Sequence, residues 1–156
     1  MDEPLITVVR ATSAQYPLVL TLVAELFEEL ADDPAEFAGL DVQAVRPALE
    51  AAGERFAALL ALDDDGHPVG VLTIADSVAP YAGGWYGIIP EMYVRPAYRG
   101  LGVGEQLLDE LKLFARARGW RRVDVTAQPG EQWARTVAFY ERNGFVFTGP
   151  KLRFDL

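Results

Sequence analysis

The chain has 156 residues, 51% of them hydrophobic and 24% charged, with a formal charge of −9 at pH 7. That length suits one domain that buries a core without staples, and the acidic balance argues against nucleic acid as a main partner. Cysteine is absent, which excludes disulfides, thiolate metal sites and a cysteine-linked acyl intermediate; a Ser-His-acid hydrolase would have only His67, Ser13 and Ser77 to draw on.

The N-terminal Met1-Asp2-Glu3-Pro4 is acidic and lacks the basic-then-apolar order of a targeting segment. The longest uncharged stretch of helical character, Ala11 to Ala24, is shorter than the ~18 residues of a membrane span. The expectation is a soluble cytoplasmic protein with no membrane contact.

Ile6 to Arg10 alternates like a short strand. Thr12 or Ser13 can cap a helix that tolerates Pro17 in its first turn and aligns Leu18, Leu22, Leu26 and Leu30. A second helix is expected over Val42 to Ala51, closed by Gly53. Arg55–Leu62 and Val69–Asp76 are β-rich runs around the turn-rich Asp63-Asp64-Asp65-Gly66-His67-Pro68, which predicts an antiparallel hairpin. That turn does not fit a calcium loop, because Leu72 falls where the closing Glu belongs; no metal is expected. Ser77 to Gly84 reads as a loop, and Trp85 to Val94 as a long strand broken at Pro90. After Pro96 come Arg99-Gly100-Leu101-Gly102-Val103-Gly104 and an amphipathic helix carrying Leu107, Leu108, Leu111, Leu113 and Phe114, ending at Gly119. A strand at Val123–Thr126, a helix at Trp133–Arg142, and final strands at Phe145–Phe147 and Leu152–Leu156 complete the chain.

Charge is unevenly placed. Residues 1–75 hold 14 acids and three bases, a balance of −11; the remainder hold nine acids and 11 bases, a balance of +2. This suits a basic half that holds a phosphorylated ligand and an acidic half that faces a cation, against the plainer alternative of solvated helix faces.

Strand, alternating glycines, then helix is an anion site: the glycines let backbone approach a ligand, and the helix start offers unpaired N–H groups at its positive end. Glu105-Gln106 follow Gly104 where a P-loop needs Lys and Ser or Thr. A dinucleotide fingerprint fails because Glu105 occupies its third glycine, although Asp124 sits where a ribose-binding acid would.

The Arg99–Gly104 stretch resembles the Q/R-x-x-G-x-G/A signature of the GNAT superfamily of acetyl-CoA-dependent N-acetyltransferases. Glu91 to Tyr98 is similar to the strand and Pro-x-Tyr lead-in of many members, and Phe139-Tyr140-Glu141-Arg142-Asn143-Gly144-Phe145 to the family's F-Y-x-x-x-G-F block. The resemblance implies an α+β fold: a mixed, largely antiparallel sheet of six or seven strands flanked by helices on both faces, as one domain over 1–156. It implies that backbone of Arg99, Gly100, Leu101, Gly102, Val103 and Gly104 cradles the pyrophosphate of acetyl-CoA. Main chain of Met92, Tyr93 and Val94 would hold the pantetheine arm, and Tyr140 would protonate the departing thiolate. Where members often carry Asn and Ala, this chain has Trp133 and Thr136.

Direct transfer agrees with the residues present. An attacking amine must lose a proton, its oxyanion needs N–H donors, and no cysteine can relay the acetyl group, so a ternary complex is required. Glu91, the only acid between Asp76 and Glu105, is the first choice for general base, directly or through water. Weaker acceptor-site candidates are Phe27 and Glu28 at the end of the first helix, and Tyr81, Trp85 and Tyr86 around the Gly83-Gly84 loop. The expected acceptor is a small primary amine, cationic on the charge argument; a homodimer stays open. Alternatives are an acyl-CoA-binding domain of the same fold without catalysis, and a dinucleotide-binding module.

Overall fold

The structure, a computed structural model, describes residues 4–31, 40–127, 133–149 and 152–156. Contacts divide the chain into two units, residues 1–124 and 125–156.

The larger unit is built on a sheet. Strands β1 (Thr7–Arg10), β2 (Phe56–Leu62), β3 (Pro68–Ala79) and β4 (Gly84–Ile89) lie side by side in that order and pair antiparallel. Strand β5 (Met92–Val94) also pairs antiparallel with β3, and β6 (Val123–Val125) lies beside β4, making six strands among the described residues. Gly87 N–H donates to the carbonyl of Arg122 at 3.0 Å at that last junction.

Helices cover both faces. On one, α1 (Tyr16–Leu30) sets Tyr16, Val19, Leu22 and Val23 against Phe56, Ala58, Leu60, Val71 and Tyr93. On the other, α3 (Val103–Ala117) buries Leu107, Leu108 and Leu111, and Gly70 of β3 lies beneath Leu107 beside Ala61. A strand covered on both sides must be apolar throughout, so β2 reads Phe-Ala-Ala-Leu-Leu-Ala-Leu without alternation. Helix α2 (Arg46–Ala52) follows a 3₁₀ turn at Val42–Val45, whose start is capped by Asp41 Oδ1 accepting from the Gln43 N–H at 3.1 Å. No helix among the described residues is long and apolar enough to cross a membrane.

The expected hairpin and the break at Pro90 are present; three other expectations need correction. The stretch Ser77 to Gly84 is largely strand: β3 runs on to Ala79, with Ser77 opposite Tyr86 and Val78 opposite Trp85, and the turn shrinks to Pro80–Gly83. The cross-strand partners outweigh the turn-like composition. Leu18 and Leu113 are not core residues but are 42% and 58% exposed. In α1 the buried stripe is Val19, Leu22 and Val23, with Leu26 and Phe27 packed alongside, one residue round from the Leu18 line.

The smaller unit contains α4 (Ala134–Arg142). Its Tyr140 ring is buried edge-on against Phe139 and Phe145, with centroids 5.5 and 5.3 Å away. Gly144, at φ 95°, turns the chain back so that the Phe145 N–H donates to the Tyr140 carbonyl at 3.0 Å. Phe145–Phe147 and residues 152–156 are not strands, contrary to expectation: Val146, Phe147, Leu152 and Phe154 are exposed, with no ladder partner among the described residues. Alternation alone does not make a strand.

Candidate active site

The register along β3 fixes the centre of the site. Leu72 faces Met92 of β5, while Ala75 faces Ile88 of β4, so Thr73 and Ile74 oppose the three residues Ile89, Pro90 and Glu91. One extra residue is a β-bulge, placed where Pro90 has no N–H to give the ladder. The bulge is held by Thr73, itself only 2% exposed. Its N–H donates to the Glu91 carbonyl at 2.9 Å, and its Oγ1 accepts from the Glu91 N–H at 2.9 Å. The same hydroxyl donates to Glu91 Oε1 at 2.6 Å. Burial pushes the Glu91 carboxyl above the ordinary glutamate range, and the Thr73 hydroxyl partly offsets this by favouring the anion.

Beyond the bulge, β5 pairs with β3, and among the described residues no strand is bonded to its other edge. The chain then turns through Pro96–Tyr98 into the glycine loop and α3. Gly100 and Gly102 take φ of 77° and 83°, left-handed conformations that favour glycine. A Cβ at either would meet nothing within 4 Å, so the loop presents bare backbone to open space. The first intrahelical bond runs from the Gln106 N–H to the Gly102 carbonyl, leaving the N–H groups of Val103, Gly104 and Glu105 without an intrahelical partner, and no side chain caps this end. A phosphate group suits that donor set.

The loop's cation points elsewhere. Arg99 places Nη1 and Nη2 on the Glu29 carboxylate at 2.7 and 2.6 Å, its Nε donates to the Val94 carbonyl, and its guanidinium lies over the Tyr93 ring. Arg95 is similarly bidentate to Glu25 at 3.1 and 2.8 Å, and Tyr93 Oη reaches Glu25 at 3.4 Å. Thus α1 is tied to β5 and the loop by two ion pairs. Leu101 is exposed and Val103 buried.

Glu91, Met92, Tyr93 and Val94 follow one another along the bulge and β5, one short turn from Arg99–Gly104. Phe27 packs against the α1-face core and Glu28 is exposed on the same helix. Tyr81, Trp85 and Tyr86 gather at the far end of β3–β4, where the Tyr81 and Tyr86 hydroxyls are 2.9 Å apart. Arg55 lies over Trp85 and bonds Asp76, and both Arg55 and Asp76 line an open cavity of about 360 Å³ with Leu49, Ala52, Phe56 and Ala75. Asp124, the ribose candidate of the dinucleotide alternative, is held by Arg122 at 2.6 and 3.2 Å. Tyr140 belongs to the smaller unit; burial pushes its hydroxyl up to about 12.

Residues 55–147 match the model of the acetyltransferase (GNAT) domain. The chain belongs to the GNAT family. It is 34% identical over 67 residues to the IAA acetyltransferase of Azospirillum brasilense, covering 43% of this chain and 42% of that relative, so the match spans less than half of that relative's length. Among solved structures it is similar to an aminoglycoside acetyltransferase from an uncultured soil metagenomic sample, with TM-score 0.75, 26% identity and 97% of each chain covered. A predicted acetyltransferase of Clostridium acetobutylicum, solved with acetyl-CoA, shares the fold at TM-score 0.76 and 18% identity over 97% of this chain and 96% of that one.

Proposed function

We propose that this GNAT domain is an N-acetyltransferase that moves an acetyl group from acetyl-CoA to a primary amine within a ternary complex. The observation that supports the reading is the Glu91 carboxylate, held in a bulge at the head of β5, the short strand that leads directly into the glycine loop.

Acetyl-CoA supplies the activated thioester when bound. The backbone of Arg99–Gly104 binds its pyrophosphate through the helix-end N–H groups, and the outer edge of Met92–Val94 takes its amide-bearing arm as an added strand would be taken. An N–H on that edge stabilises negative charge on an acyl oxygen. Glu91 accepts the proton of the attacking amine, directly or through a water; a carboxyl raised by burial is a better base than an ordinary glutamate at neutral pH. Tyr140 keeps its proton at Oη across the neutral range, because burial pushes its hydroxyl up to about 12; in the role of acid it would give that proton to the departing thiolate.

The acidic N-terminal half, at −11 over residues 1–75, favours a cationic acceptor by long-range attraction. Thiol release from acetyl-CoA in the presence of a panel of polyamines, aminoglycosides, amino acids and N-terminal peptides tests the reading. Turnover with at least one primary amine is expected. Tight acetyl-CoA binding with no thiol release across the panel would instead make the domain a non-catalytic binder.

A further inference from the structure

Resting on the assignment of Glu91 as the base, we infer that Thr73 is its positioning residue: the hydroxyl fixes the Glu91 carboxylate in one orientation at the bulge and holds it in the proton-accepting form. The geometry favours the carboxylate as acceptor of the hydroxyl proton. Oγ1 already accepts from the Glu91 N–H, and it lies 2.6 Å from Oε1 against 3.3 Å from the Glu91 carbonyl oxygen. Aromatic residues aside, Thr73 is also the only polar residue among the buried ones described, within the apolar run of β3, and its branched Cβ restricts the hydroxyl to few rotamers. One side chain therefore pins both the peptide and the carboxylate of Glu91. A purely structural role would need only the peptide contact.

Among the described residues, three carboxylates of the neighbouring elements are paired with arginines. On α1, Glu25 is neutralised by Arg95 and Glu29 by Arg99; on β5, Tyr93 bonds Glu25; farther along β3, Asp76 is paired with Arg55. The Thr73 hydroxyl is the polar contact that acts on Glu91, opposing the effect of burial. Its removal favours the neutral acid.

The test compares Thr73→Val, Thr73→Ala, Thr73→Ser and Glu91→Gln in two assays. One is the pH–rate profile with acetyl-CoA and an active amine. The other is a ¹³C titration of the glutamate carboxyl resonances without donor, with Glu91 identified by its loss in Glu91→Gln. Thr73→Val should move the acid limb and the Glu91 midpoint upward by about one pH unit, a tenfold lower rate on that limb, with kcat falling more than donor KM rises. Thr73→Ser should restore the wild-type midpoint, and Thr73→Ala repeats the Val comparison without a branched side chain against the bulge. An unmoved limb and midpoint in both Thr73→Val and Thr73→Ala, with Glu91→Gln impaired, overturns the role of Thr73 alone. Wild-type rates in Glu91→Gln overturn the base assignment and this inference with it.

Discussion

The guanidinium of Arg99 lies bidentate on the carboxylate of Glu29, 2.7 and 2.6 Å away, and so turns from the helix end that its own loop prepares for phosphate. Both side chains are part-exposed, at 44% and 39%, so the pair contributes at most ~1 kcal/mol to stability. Its larger effect is on charge near the loop. Glu29→Ala removes a negative group and frees a positive one, and donor Kd should fall by about two- to fivefold at low salt, less at ~0.15 M. Arg99→Ala should raise Kd. Isothermal titration at two salt concentrations measures both, and weaker binding in Glu29→Ala would mean that the tether matters more than the charge.

A Cβ at Gly102 meets no protein atom within 4 Å, so in the proposed donor site a side chain there would meet the donor. Gly102→Ala adds strain of about 1–2 kcal/mol for a left-handed residue and should weaken acetyl-CoA binding at least ~10-fold while the fold survives. Gly66, at φ 80° in the Asp63–His67 turn and equally uncrowded, is the control: Gly66→Ala carries similar strain and should leave donor affinity unchanged. Equal donor affinities in the two variants would remove the loop from the phosphate site.

Local chemistry made much of this legible in the sequence. Pro90 cannot serve a ladder on its N–H side, and the strand does break there; the glycines of 100 and 102 do adopt the conformations that favour glycine. Thr73 was not legible, because its meaning lies in a contact 18 residues away set by a one-residue register shift; the only hint was a lone hydroxyl within a buried apolar run. The extension of β3 past Asp76 was hidden for the opposite reason. Ser77, Val78 and Ala79 look like loop until Tyr86 and Trp85 arrive opposite them. The endings Phe145–Phe147 and Leu152–Leu156 alternate like strands yet pair with no strand among the described residues.

Tyr140 predicts an alkaline signature. Its hydroxyl titrates near 12 when folded and near 10 when unfolded, so the folded chain binds more protons between those values. The contribution is therefore complete below about pH 10 and is lost as pH rises toward about 12. Tyr140→Phe should flatten the fall in stability over that window in urea melts. Its acetyl-transfer rate should be lower by up to ~10²-fold at every pH, and less so with a donor whose thiol is a better leaving group. A defect unchanged between donors would assign Tyr140 to packing with Phe139 and Phe145.

Glu91, set in the β4–β5 bulge, is proposed to take the proton of the acceptor amine. The direct measurement is the pH–rate profile of Glu91→Gln beside wild type, with thiol release as readout and acetyl-CoA affinity measured separately. Glutamine keeps the shape and the Thr73 contact but cannot accept the proton. The rate should fall by roughly 10²–10⁴-fold near neutral pH with donor affinity unchanged, and should recover in part as pH rises and more of the amine is already neutral. A Glu91→Gln profile that overlays wild type across the whole range would remove Glu91 from the proton transfer.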